Sequence, residues 1–196
     1  KKGYGRNTPD KGKSALSLNK EVRGFLFEDV CDDNDFKNMH ANMICQIATL
    51  FGQDQCVKLL KSYDDNREFW YKEMMNANPK LTRDICKEIG YTFLYQGSVA
   101  YRFAEFGLEV PKKKGDPLWM VYATCSDACK KVIELREKIK KHFPETWENL
   151  HFNDPKRKDA GKFSSMVQHL ERYVLLKLIK KCKGDGKDVD DLQHDG

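Results

Sequence analysis

The chain has 196 residues, with 35 Lys+Arg against 30 Asp+Glu, a formal net charge of +5 and a charged fraction of 33%. At 40% hydrophobic, with 11 Phe, 8 Tyr and 3 Trp, it can bury a real core, which argues against wholesale disorder. No apolar stretch approaches the roughly 20 residues of a membrane span, and no secretory leader opens the chain, so the expected location is intracellular, in cytoplasm or nucleus, away from membranes. The seven cysteines form no C-x-x-C pair, and Cys125 and Cys129 read as neighbouring turns of a helix, so reduced thiols are expected. The positive balance favours a polyanionic partner without identifying one.

In chain order, residues 1–20 are rich in Lys, Gly, Ser and Asn and read as a loop or arm. Phe25, Leu26, Phe27 and Val30 suit a short strand, which runs into the acidic cluster Asp32, Asp33 and Asp35. Met39, Met43, Ile44, Ile47 and Leu50 then recur at helical steps. A second helix is expected over Val57 to Tyr63 and a third over Asn66 to Met75. Thr82 can cap a long helix reaching about Tyr95, broken by Gly97 and Ser98. A short amphipathic piece to Phe106 and a basic loop at Lys112 to Lys114 follow. Helices fit Leu118 to His142 and Phe163 to Cys182, with polar, irregular chain at 144–162 and a short strand at Val189 to His194. This helix-dominated pattern with a few strands places the chain in the α/β or α+β class.

Three segments bear on chemistry. Arg83, Lys87, Tyr91 and Tyr95 step by four residues, followed by Gln96 and Gly97. On a helix of 3.6 residues per turn they share one slowly winding face, cations first and aromatics after. Such a face can hold a triphosphate and stack a base or sugar; equally, it is a solvated charged stripe leading to core tyrosines. Asp33 and Asp35, between apolar run and helix, can offer oxygen ligands to Mg²⁺ or form an ordinary acidic, helix-capping turn. His194-Asp195-Gly196 reads alone as a solvated tail.

Together and in this order, these segments resemble the palm-and-fingers core of family A DNA polymerases, the polymerase I type. Asp35-Phe36 and the following helix resemble the family's first catalytic motif. Arg83, Lys87, Tyr91, Tyr95 and Gly97 are similar to the fingers-helix motif R-x-x-x-K-x-x-x-[FY]-x-x-x-Y-G, offset by the single residue Gln96. His194-Asp195 resembles the start of the last catalytic motif. Gly5-Arg6 resembles the primer-contacting motif, Leu16 to Arg23 the stretch leading from it, and Gln168 the glutamine near the primer terminus. The similarity is greatest to the divergent branch of viruses and large DNA transposons, through Asp33, Asp35, Asn38 and His40, then Asn66-Arg67-Glu68, and His-Asp-Gly at the end.

The resemblance implies a polymerase palm with a small antiparallel sheet, helical fingers and no thumb: palm over 1–38, fingers over 39–160 with a helix at 79–97, and palm again over 161–196. It implies a fragment of a larger polymerase that transfers nucleotidyl groups from dNTPs to a primer 3′-hydroxyl. Asp35 and Asp195 would hold two Mg²⁺ ions, or Mn²⁺, and Lys87 would join them as a catalytic proton donor. Arg83, Lys87, Tyr91 and His40 would bind the dNTP, with His40 excluding a ribose 2′-hydroxyl. Tyr95, Gly97, Arg6 and Gln168 would meet template and primer. Partners would be primer–template DNA, dNTPs and helicase or primase domains of the same replication system. Two departures stand out: His40 replaces a glutamate, and Gly196 follows Asp195 where a glutamate is usual. The alternatives are a non-catalytic palm-like nucleic-acid-binding module of a larger replication protein and a helical protein-interaction module.

Overall fold

The computed structural model describes residues 39–150 and 158–186. Their regular elements, in order, are α1 (Met39–Leu50), α2 (Asp54–Ala77), α3 (Arg83–Tyr91), α4 (Val99–Glu105), α5 (Trp119–His142), α6 (Pro144–Glu148) and α7 (Lys158–Gly184). Among the described residues there is no strand or sheet, only an isolated bridge between Lys114 and Asp116. The expected palm with an antiparallel sheet is therefore corrected to a helical fold. The described apolar residues recur at three- and four-residue steps and pack helix against helix, which leaves no sheet among them. Both expected strands, Phe25 to Val30 and Val189 to His194, lie outside the described residues. No helix among those described is long and apolar enough to cross a membrane.

The core forms where α2 lies between α1, α3 and α5, while α7 packs on α1. Ile44 and Ala48 of α1 meet Cys56, Leu60 and Tyr63 of α2, and α5 adds Cys125, Val132 and Leu135. Each large apolar side chain hidden in this way contributes about 1.5–3 kcal/mol. The two helices expected at Val57 to Tyr63 and Asn66 to Met75 are one continuous helix, α2. No Gly or Pro interrupts Asp64-Asp65-Asn66, and the Asn66 amide donates back to the Ser62 carbonyl at 2.8 Å, within the helix.

The stretch expected to be irregular after Pro144 instead contains α6 and the start of α7. Trp147 on α6 is buried, and Asp159 accepts from Trp147 Nε1 at 3.4 Å and from Lys140 Nζ at 2.9 Å. Lys162 is only 2% exposed, and its ammonium donates to the Trp147 carbonyl at 2.9 Å and the Glu148 carboxylate at 3.0 Å. A buried ammonium is tolerated because these oxygens replace its water.

Candidate functional site

Helix α3 carries the cation–aromatic series. The Thr82 hydroxyl accepts from the Ile85 N–H at 3.3 Å and starts the helix where the sequence indicates. The expected helix over 79–97 is shorter, ending at Tyr91. Beyond it the backbone tightens to three-residue bonds, Leu94 N–H to Tyr91 O and Gln96 N–H to Phe93 O. Gln96 then takes the left-handed conformation, with φ of 58°, and the Gly97 N–H returns to the Thr92 carbonyl at 2.9 Å. A Cβ on Gly97 would lie 2.6 Å from the Thr92 methyl, so this closure requires glycine. Tyr95 thus sits on a turn beyond the helix rather than on a straight continuation of its face.

Gly90 and the rings around Tyr63 fix how α3 seats on α2. A Cβ at Gly90 would stand 2.3 Å from the Tyr63 hydroxyl, so the missing side chain lets the helices approach. Tyr63 packs edge-on against Phe93 at 4.9 Å between centroids and hydrogen-bonds the Tyr71 hydroxyl at 2.8 Å. Burial pushes the Tyr71 phenol up to about 12 and raises Tyr63 well above its ordinary value, so both stay neutral. Tyr91 lies 6.3 Å from the Tyr63 ring and is half-buried.

The two cations are held at the open end of this packing. Arg83 Nε donates to Glu68 Oε2 at 3.1 Å, and its guanidinium lies over the Tyr71 ring, 5.7 Å from the centroid. That hydrogen bond, with the charge of Glu68, raises the Arg83 pKa above its ordinary value. Both side chains are about half exposed, at 54% and 53%. Lys87 Nζ lies over the Tyr91 ring at 5.6 Å.

His40, at the start of α1, reaches the far end of the series. Its Nδ1 is hydrogen-bonded to the Tyr95 hydroxyl, and the rings meet edge-on at 5.9 Å. Its Nε2 lies 3.2 Å from Glu171 Oε2 of α7, near enough for an ion pair though not aligned as a hydrogen bond. Gln96 accepts from Arg136 of α5 at 2.5 Å, which anchors the turn from its other side. Gln168 lies one turn before Glu171 and is half-buried.

Of the predicted site residues, Arg83, Lys87 and Tyr91 therefore line one helix, while Tyr95 and His40 come together at its end. Gly97 closes the turn. Arg6, Asp35 and Asp195 lie outside the described residues, as do Asp33 and Asn38. Glu171 is the participant that sequence reasoning missed: a lone glutamate in an amphipathic helix reads as solvated. Among the described residues no group of three or more His, Cys, Asp or Glu could hold a metal ion. The chain matches no protein-family model, no curated protein and no solved structure.

Proposed function

We propose that the chain belongs to a template-directed DNA polymerase and that α3, its following turn and His40 form the incoming-nucleotide site. The observation that carries the reading is the His40–Tyr95 hydrogen bond. It joins residues 55 positions apart that belong to two different motifs of the resemblance. The Glu68–Arg83 pair supports it in the same way, linking the Asn-Arg-Glu segment to the first cation of α3.

The described side chains supply binding and orientation. Arg83 offers a planar fork to phosphate oxygens, and Lys87 a mobile point charge one turn further along. The Arg83–Glu68 pair is open to water, and such pairs are worth only about 0–1 kcal/mol, so a polyphosphate can displace the carboxylate at low cost. Lys87 is also the group from which a proton would pass to the leaving pyrophosphate oxygen. Tyr91 offers a face for stacking, and the imidazole of His40 limits the room beside the sugar. Asp35 and Asp195 would hold Mg²⁺, whose chemistry is to activate the primer hydroxyl and neutralise the leaving charge.

Primer extension with one nucleotide at a time tests the reading. The expected result is magnesium-dependent addition of only the nucleotide that matches the template. DNA retention in a mobility shift without extension under any condition would instead assign a nucleic-acid-binding module. Neither retention nor extension would leave the helical interaction module.

A further inference from the structure

We infer that Glu171 is a positioning residue for nucleotide selection: from α7 it holds His40, and through His40 it holds Tyr95. The inference rests on the nucleotide-site reading above and adds to it a carboxylate buried behind His40.

Glu171 is 0% exposed, so its carboxylate needs partners inside the fold. His40 Nε2 at 3.2 Å supplies one, and the His40 side chain is itself only 11% exposed. A carboxylate at Nε2 favours the proton on that nitrogen, which leaves Nδ1 free to accept from the Tyr95 hydroxyl. With a hydrogen bond at Nδ1 and the carboxylate beside Nε2, turning the imidazole would break the first contact and carry Nε2 away from the charge. The resulting chain, Glu171 to His40 to Tyr95, connects α7, α1 and the turn after α3. It ties His40 and the turn after α3 to α7. In the nucleotide site, the ring position sets the space left for a 2′-hydroxyl. Loosening the ring should therefore lower the preference for deoxynucleotides over ribonucleotides.

The test compares single additions of a matched dNTP and rNTP by the full chain and by Glu171→Gln, Glu171→Asp and Tyr95→Phe variants. The ring-nitrogen NMR signals of His40 are followed in each. Glu171→Gln keeps the volume but removes the charge, Glu171→Asp withdraws the carboxylate by one methylene, and Tyr95→Phe cuts the other end of the chain. The expected result is a fall of about tenfold in the kcat/KM preference for dNTP in each variant, within what one pocket contact can supply. The His40 signals should shift in each as well. Wild-type selectivity in folded Glu171 variants would overturn the inference and leave the polymerase reading standing. If neither Glu171 variant folds, wild-type selectivity in Tyr95→Phe overturns it equally. Failure of the unsubstituted chain to add any nucleotide would remove the nucleotide-site reading and this inference with it.

Discussion

Glu68 on α2 and Arg83 on α3 face each other side-on, with Oε2 3.1 Å from Nε and the guanidinium stacked over Tyr71. The pair both orients the arginine and competes with any anion that approaches it. Glu68→Gln should therefore cost little stability, about 0–1 kcal/mol for so exposed a pair, while tightening triphosphate binding by about two- to fivefold as the competing charge goes. Isothermal titration with a nonhydrolysable dNTP measures this, and weaker binding would show that Glu68 serves mainly to orient.

Gly90 is the point of closest approach between α3 and α2. Gly90→Ala would ordinarily gain about 1 kcal/mol of helix propensity. Here the new methyl would meet the Tyr63 hydroxyl, a ring already held by Phe93 and Tyr71. Overpacking of about 1–3 kcal/mol should win, lowering the urea midpoint.

The α5–α6–α7 junction should be acid-sensitive. The Lys162 hydrogen bond holds Glu148 below its ordinary value of 4.5, and the Lys140 hydrogen bond holds Asp159 below 3.8. Groups depressed in the fold stabilise it above their unfolded values, and that contribution is lost as pH falls through the folded ones. Stability should thus decline progressively below about pH 4.5. Lys162→Met should remove the Glu148 share of that slope and, by stranding the Trp147 carbonyl, cost about 1–3 kcal/mol at neutral pH. Denaturant melts across pH 3 to 7 would show both.

Burial keeps two thiols inert, pushing Cys125 up to about 12 and Cys56 to about 11. Both should resist iodoacetamide at pH 8 until the chain unfolds, whereas the partly exposed Cys182 should react in the native state. Mass spectrometry of the alkylated peptides settles the order.

Local signals in the sequence located several elements well. Thr82 marks the start of α3, and the periodic apolar residues from Trp119 give α5 almost to the residue. The end of α3 is less legible: Gly97 and Ser98 predict the stop, whereas the tightening begins at Thr92 and the Gln96 side chain in the turn is held by Arg136, 40 residues away. The helices expected at Val57 to Tyr63 and Asn66 to Met75 are one, because the buried positions Cys56, Leu60, Tyr63, Trp70 and Met74 stay in register across Asp64-Asp65-Asn66. Glu171 and Lys162 were invisible for one shared reason. Each is a charged residue whose burial depends on a partner distant in sequence, or on another helix's backbone, and no local pattern encodes that. His40 and Tyr95 were singled out by resemblance, while their contact appears only in three dimensions.

The proposal that this chain synthesises DNA is tested most directly by Asp35→Asn, examined by primer extension and DNA mobility shift on the same preparation. On that proposal extension should vanish while DNA retention stays at the level of the unsubstituted chain, because the substitution removes one proposed metal ligand and leaves every Lys and Arg in place. Continued extension by Asp35→Asn would contradict the account.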